Sequence, residues 1–323
     1  MSKQDNKHWP PTCSAALLHK RAELYQSIRL FFAEKGVLEV DTPILSQSAS
    51  CDVNLDSFST TFNQRPYYLQ TSPEFSMKRL LASGSGSIFQ IAKSFRQGES
   101  GRYHNPEFAL LEWYRLEFKM NDLIEEVVEL LMNCFNENLS FSSVSYERLF
   151  HRYTNINPHQ ATTEELLAYA ASEGNPEMAS VCGDSLSNCL DYVFSQYIQP
   201  KLKLNLVYIV TDYPVCMAML AKLSDQKLPT AKRFEVYFKN IELANGYEEL
   251  TDAEEQQQRF QQELKERADN GVDSVPMDGY LLAAMEHGLP NCSGVALGLD
   301  RLLMLMTNAA SIDEVLTFPV NRA

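Results

Sequence analysis

Residues 86–96 and 107–115 read as two strand-forming segments, and the ten residues between them, Gln97 to Pro106, include two glycines, a serine, an asparagine and a proline. Turn formers concentrated between two β-rich runs predict a long hairpin. Arg96 stands at its base, and the loop carries Glu99, Arg102, His104 and Asn105. Arginine's planar fork matches phosphate oxygens. Taken alone, the feature is as readily a surface hairpin with solvated charges.

The remainder of the chain organises around this hairpin. From Ala15 to Lys35 the residues Leu17, Leu24, Ile28 and Phe31 share one helical face, and Gly36 ends the helix. A strand over Val37–Val40 stops near Pro43, and Leu123, Val127, Leu130, Leu131 and Cys134 mark another amphipathic helix. Residues 140–203 carry no recognisable chemistry and read as a helical insertion, with helices opening at Thr162-Thr163-Glu164-Glu165 and over Leu190–Ile198. A strand follows over Leu206–Thr211. Phe234, Val236 and Phe238 alternate with Glu235, Tyr237 and Lys239, the pattern of a half-buried strand. Thr251-x-x-Glu254 is a capping box for a polar helix running to about residue 268. Gly294–Gly298 leads into a helix bearing Leu299, Leu302, Leu303 and Met306. Helices at the ends and strands around the hairpin predict an α+β fold with a largely antiparallel sheet flanked by helices. Residues 1–14, polar and containing Pro10-Pro11, are expected to form a flexible arm before one catalytic domain over 15–323.

Charge and cysteine usage narrow the function. The net charge is −14, and a chain that grips nucleic acid needs a cationic face. The local basic pairs Lys78-Arg79 and Lys232-Arg233 are the candidate patches, and a stable tRNA complex is not expected. No apolar run is long enough to span a bilayer, and Met1 to Lys7 lack the apolar core of a signal peptide, so a soluble cytoplasmic protein with no membrane association is expected. The seven cysteines are odd in number and form no C-x-x-C pair, which suits reduced thiols.

Two further constellations carry chemistry. Gly294-Val-Ala-Leu-Gly298-Leu-Asp300-Arg301-Leu302 places glycines ahead of a helix start, where backbone can approach an anion, and Arg301 in the first turn opposes the dipole unless something negative binds. The plainer alternative is a tight strand–helix connection. Glu235, Glu242 and Glu249 are spaced by seven. Mg²⁺ usually takes one or two carboxylates with substrate phosphates. An odd spacing points neighbours to opposite faces of a straight strand, so convergence needs a turn or bulge, for which Lys239-Asn240 and Asn245-Gly246 offer sites. Otherwise these are three solvated strand glutamates.

In order and wording these segments resemble the three motifs of class II aminoacyl-tRNA synthetases: Phe32 through Gly36-Val-Leu-Glu-Val-Asp-Thr-Pro43, then Phe95-Arg96 through His104-Asn-Pro-Glu-Phe108 and Glu112-Trp113-Tyr114, then Gly294 to Leu302. The resemblance spans nearly the whole chain from Ala15. The wording Thr71-Ser-Pro-Glu74, Ile241-Glu-Leu-Ala-Asn-Gly246 and Glu249-Leu-Thr-Asp-Ala253 is that of the lysyl branch. Lysyl-tRNA synthetases carry an N-terminal anticodon-binding barrel, and here the first motif begins too near the N-terminus to leave room for it. The chain therefore looks like the barrel-less paralogues that ligate a lysine to elongation factor P.

That resemblance implies an ATP- and Mg²⁺-dependent ligase that activates (R)-β-lysine, or lysine, and passes it to a lysine of elongation factor P. It implies Arg96 and Arg301 as the catalytic arginines on the α- and γ-phosphates, and Phe108 stacked on adenine. Gln97, Gly98, His104, Asn105, Glu242, Leu243 and Gly298 complete the implied nucleotide site, with Glu235 and Glu242 on Mg²⁺. For the amino acid it implies Ser72, Pro73 and Glu74 at the backbone-side amine, Glu112, Tyr114 and Glu249 at the distal ammonium, Asn245 at the carboxylate, and Ala296 on the pocket floor. It further implies a homodimer through the helix Ala15–Lys35. The chain departs from the family at Gly98, where glutamate is usual and Glu99 follows, and at Ala296, where lysyl-tRNA synthetases usually have glycine. An added methyl there disfavours an α-amino substituent more than a β-amine. The alternatives are a freestanding lysyl-tRNA synthetase-like enzyme acting on tRNA or a small acceptor, and a non-catalytic regulatory paralogue.

Overall fold

The structure, a computed structural model, describes residues 9–135 and 138–323. Its elements in chain order begin with helix α1 (Ala15–Glu34), strands β1 (Leu38–Glu39), β2 (Leu45–Ser46), β3 (Ser59–Phe62) and β4 (Arg65–Leu69), and helix α2 (Glu74–Ala82). The hairpin β5 (Ile88–Phe95) and β6 (Glu107–Leu116) leads to α3 (Met120–Phe135). Then come β7 (Phe141–Ser145) and helices α4 (Tyr146–Thr154), α5 (Thr163–Ser172), α6 (Met178–Cys182) and α7 (Leu186–Val193). Strands β8 (Val207–Tyr213), β9 (Ala231–Phe238) and β10 (Ile241–Glu248) follow, then α8 (Ala253–Asp269), α9 (Gly279–Gly288), β11 (Cys292–Gly298) and α10 (Leu299–Thr307). No helix among the described residues is long and apolar enough to cross a membrane. The chain divides into two compact units. The first runs to Phe118, takes in α3 from Glu129, and resumes over Thr251–Ala323. The second holds Lys119–Val128 and the stretch ending at Leu250.

In the first unit β5 and β6 pair antiparallel from Phe95↔Glu107 to Ile88↔Tyr114, and β6 pairs β11 antiparallel from Leu116↔Cys292 to Leu110↔Gly298. The short β1 lies parallel to β5. Directly opposed residues share a face. Phe89, Leu111, Trp113, Val295 and Leu297 therefore form one apolar layer, and all are buried. Helix α1 packs on it: the Phe32 ring stacks on Phe89 at 4.5 Å and meets Trp113 edge-on at 5.4 Å. Burying each such ring contributes on the order of 2–3 kcal/mol. The opposite face carries Gln90, Phe108, Glu112, Tyr114 and Ala296, the residues with chemistry.

Helix α1 starts where Ser14 Oγ accepts from the Leu17 N–H. It ends as expected at Gly36, whose φ of +66° lets the Gly36 N–H reach Ala33 O and the Val37 N–H reach Phe32 O. Of the expected N-terminal arm, residues 1–8 lie outside the described residues. Beyond them the Thr12 N–H donates to Thr317 O at 2.9 Å, and Cys13 is buried.

In the second unit β7 lies parallel to β8, and β8, β9 and β10 follow antiparallel. Helices α4 to α7, within the stretch read as an insertion, build a core with these strands: Tyr146 stacks on Phe194 at 5.0 Å, Tyr213 lies 4.8 Å from Tyr146, and Tyr237 lies 5.5 Å from Phe194. This layer corrects the reading of β9 as half-buried. Glu235 and Tyr237 are buried as well as Phe234 and Val236, because aromatic side chains of the insertion cover the second face.

Two local readings also change. The helix expected over Leu190–Ile198 begins earlier, capped by Ser185, and its last turn, Phe194–Ile198, is wound as a π-helix. The cap of α8 is Asp252, whose Oδ1 accepts from the Glu255 N–H at 2.9 Å, rather than Thr251. A carboxylate one residue later caps the helix at the Glu255 N–H and also meets the positive end of the helix dipole.

Candidate active site

The first unit gathers the two motif arginines around a neutral histidine. Arg96 directly follows β5, its N–H bonded to Pro106 O at 2.9 Å, and its guanidinium lies 5.0 Å over the Phe108 ring. The hairpin loop folds back through a bridge between Gly101 and His104. Gly98 has φ +85°, a conformation that penalises any side chain. The bend it permits brings Glu99 to Arg96 at 3.4 Å. A carboxylate thus lies beside Arg96, carried by the residue after Gly98. The Gln97 N–H donates to Asp56 O at 2.8 Å.

Arg301 sits in the first turn of α10, with Gly298 as the N-cap. Its Nε donates to Tyr103 O at 3.2 Å, and its Nη2 lies 2.6 Å from His104 Nε2. A guanidinium has no acceptor, so Nε2 must accept and the ring proton stays on Nδ1. Burial, then the Arg301 charge, hold His104 below its ordinary pKa, with Glu99 opposing. The result is a pair of guanidinium groups beside an imidazole that carries no charge of its own. Asn105 also anchors the loop: its Nδ2 donates to Glu107 O and its Oδ1 accepts from the Val320 N–H, pinning the loop to the C-terminal segment.

Asp300 was not anticipated. Its Oδ2 accepts from the Ala109 N–H at 2.7 Å, and Oδ1 lies 2.6 Å from Arg21 of α1. One buried carboxylate thereby ties the residue after Phe108, the residue before Arg301 and α1 together. No periodicity exposes such a link, because the three residues come from distant parts of the sequence.

The same unit holds carboxylates suited to ammonium groups. Pro73 caps α2 and Glu74 occupies its first turn, where the dipole favours an acid. Glu74 Oε1 accepts from Lys78 Nζ at 2.7 Å, and Lys78 is only 1% exposed. Lys78 is therefore no part of a basic surface patch. On β6 the Tyr114 hydroxyl donates to Glu112 Oε1 at 2.6 Å. Ala296 lies directly across the ladder from Glu112, so its methyl shares the face with that carboxylate.

In the second unit, two irregularities assemble one polar face on β9. The turn Lys239-Asn240 has φ of +50° and +61°, the mirror-image geometry of a tight hairpin. A register shift between Glu242 and Ala244 then puts Glu242 opposite Tyr237, Asn245 opposite Glu235 and Tyr247 opposite Arg233. The bulge falls at Leu243, two residues before the Asn245-Gly246 site that the sequence offered. Three residues apart, Glu242 and Asn245 would face opposite ways on a regular strand; the extra residue turns both to the Glu235 side. A second shift between Thr211 and Tyr213 sets Tyr213 opposite Ala231 and so onto the same face.

Glu235 is the centre of that face. It accepts from Arg233, from the Tyr237 hydroxyl and, at 2.7 Å, from the Tyr213 hydroxyl. Burial raises both tyrosine pKa values well above the ordinary range, and the Glu235 charge raises them further. Arg233 is buried, and Lys232 pairs with Glu248 at 2.7 Å, so this dipeptide too is no basic patch. Arg233 could have been noticed as the residue two before Glu235, on the same face by alternation. Tyr213 could not, since its placement depends on the bulge. Glu249 is buried and bridges to Ala221.

Glu235 and Glu242 fit a hard divalent cation in donor chemistry. Both are carboxylates on one face, the donor type such an ion takes, although the Glu235 oxygens also serve Arg233, Tyr213 and Tyr237.

A largely antiparallel sheet, a glycine-bent hairpin with an arginine at its base and an arginine opening the last long helix define a class of protein. The sequence pattern of class II tRNA synthetases (D, K and N) matches residues 12–322, and the chain belongs to that family. Among curated proteins it is similar to the elongation factor P--(R)-beta-lysine ligase of Yersinia pestis (strain Pestoides F), with 44% identity over 325 residues that cover 99% of each chain. The protein of that name from Yersinia pseudotuberculosis serotype O:1b (strain IP 31758) matches equally, at 44% over 99% of each.

Proposed function

We propose that this chain is an ATP-dependent ligase that activates (R)-β-lysine as its adenylate and transfers it to a lysine ε-amine of elongation factor P. The observation that carries the reading is the 44% identity over 99% of both chains to ligases of that name.

In the first step an oxygen of the amino-acid carboxylate attacks the α-phosphorus of ATP, and pyrophosphate leaves. Arg96, braced by Glu99 and Phe108, is placed to stabilise charge growing on the α-phosphoryl oxygens. Arg301, held by Tyr103 and neutral His104, takes the γ-phosphate. Phe108 stacks on adenine, and Gln97, Gly98, Asn105, Leu243 and Gly298 shape the nucleotide site. Glu235 and Glu242 would hold Mg²⁺, which when bound neutralises the departing pyrophosphate.

The substrate's two ammonium groups need carboxylates once withdrawn from water. Glu74, with Ser72 and Pro73, serves the amine nearer the carboxylate, where the substrate ammonium competes with Lys78. Glu112, Tyr114 and Glu249 serve the distal one, and Asn245 meets the carboxylate. In the second step the neutral ε-amine of the acceptor lysine attacks the adenylate carbonyl, AMP leaves, and the nitrogen loses its proton. The chain works as a cytoplasmic homodimer paired through α1. Leu30 on that helix is 56% exposed and Leu38 beside it 55% exposed, apolar surface that a second copy would cover.

The first step is tested by ATP–pyrophosphate exchange. Exchange that depends on (R)-β-lysine is expected; no exchange with any lysine isomer would overturn the reading in favour of a non-catalytic protein. Light scattering should give a dimer mass at working concentration, and a monomer would contradict the pairing through α1.

A further inference from the structure

We propose that Arg233 is a positioning residue that makes Asn245 a hydrogen-bond donor to the substrate's carboxylate. The inference rests on the reading above, which puts that carboxylate at Asn245. It adds the group that decides which end of the amide the ligand meets.

Three sides of the Arg233 guanidinium are engaged. Nη1 donates to Met217 O at 2.9 Å, Nη2 donates to Glu235, and Nε donates to Asn245 Oδ1 at 3.2 Å. The flat ion also lies 4.5 Å over the Tyr213 ring. It is buried, and a buried cation so enclosed cannot swing away without stranding Glu235.

A primary amide is nearly symmetric in shape, so its orientation is set by its neighbours. Arginine has five donors and no acceptor. Turned the other way, Asn245 would put its NH₂ group against the Nε–H of Arg233, donor against donor. The oxygen must therefore face Arg233 and the nitrogen must point elsewhere. One amide hydrogen goes to the Tyr247 hydroxyl at 2.9 Å. The second remains for a ligand, and a carboxylate, which only accepts, is the group it suits. Without Arg233 the amide is free to present its oxygen, which would repel the same carboxylate.

Geometry makes this arrangement specific to Asn245. Asn245 lies directly opposite Glu235, and Arg233 reaches it diagonally across the β9–β10 ladder. The bulge at Leu243 puts all three on one face. Lysine at 233 could keep the charge beside Glu235, but a single ammonium cannot serve Met217, Glu235 and Asn245 from fixed directions.

The test is a double-mutant cycle on amino-acid affinity, read by calorimetry with (R)-β-lysine alone, without ATP or divalent cation. Asn245→Ala and Arg233→Lys are each expected to weaken binding about tenfold or more. The double variant should be no weaker than the worse single one within about twofold, because both changes remove one contact. Arg233→Lys keeps the charge beside Glu235 and should fold, with a thermal midpoint lowered by no more than roughly 5 °C. If it does not fold, Arg233→Met combined with Glu235→Gln, which removes both buried charges, takes its place in the cycle. Should Asn245→Ala weaken binding while the Arg233 variant binds normally, or should the two losses multiply, the inference fails and the reading of Asn245 stands. Unchanged binding by Asn245→Ala overturns that reading itself, and the inference with it.

Discussion

Glu263 offers a sharp test of the electrostatics around α2. Burial pushes its carboxyl up to about 8 from an ordinary 4.5; Asp52, Glu266 and Glu74 add to the effect and Arg259 opposes it. The native state therefore keeps a proton between those values that the unfolded chain has released. For a carboxyl raised in this way, stability is highest below pH 4.5 and declines as pH rises through the window, with the loss complete above about 8. At pH 7 the unfolded group is about 2.5 units past its pKa, and each unit is worth about 1.4 kcal/mol, so the deficit is on the order of 3 kcal/mol. Glutamine has the shape of the protonated acid and no proton to lose. Glu263→Gln should accordingly raise the unfolding midpoint at pH 7 by roughly 5 °C for a chain of this size. The assay is thermal unfolding of both proteins from pH 5 to pH 8.5. The parent curve should fall away from that of the variant as pH rises. Parallel curves, or a variant less stable at pH 8, would refute the reasoning.

Three other outcomes follow from the geometry. Arg96→Ala and Glu242→Ala should each lower pyrophosphate exchange by about a hundredfold or more while leaving the unfolding midpoint near that of the parent, since each acts on charge in the transition state. Phe32→Ala should cost about 3–5 kcal/mol in denaturant unfolding, because its ring is fully buried between Phe89 and Trp113. Ala296→Gly removes the methyl facing the Glu112 side of the sheet and should shift the ratio of kcat/KM for α-lysine over (R)-β-lysine upward by about tenfold, read by exchange with each isomer.

The elements that could be read from sequence were those whose signal is local. Helix α1 announced itself by Leu24, Ile28 and Phe31 on one face and Gly36 at its end. The hairpin followed from turn residues between two β-rich runs. Arg96, Phe108 and Arg301 were visible because the wording around them is short and contiguous. What stayed hidden depends on register. A bulge at Leu243 decides that Glu242 and Asn245 share a face with Glu235, and a shift beside Asp212 brings Tyr213 to the same carboxylate. Alternation along β9 suggested one wet face, but that inference assumed nothing lay over it. The aromatic residues covering it, Tyr146 and Phe194, come from a stretch with no chemistry of its own. The same holds for Asp300, whose partners Arg21 and Ala109 are remote in sequence. At Gly98, a positive φ available to glycine lets Glu99 reach Arg96, a contact that depends on backbone geometry rather than on wording.

The proposed activity is tested most directly by the intact mass of the acceptor. Purified protein is incubated with ATP, Mg²⁺ and (R)-β-lysine, with elongation factor P and tRNA both present. Elongation factor P should gain the mass of one lysine isomer less water, on a single lysine, while the tRNA stays uncharged. Charged tRNA beside unmodified elongation factor P would contradict the proposal.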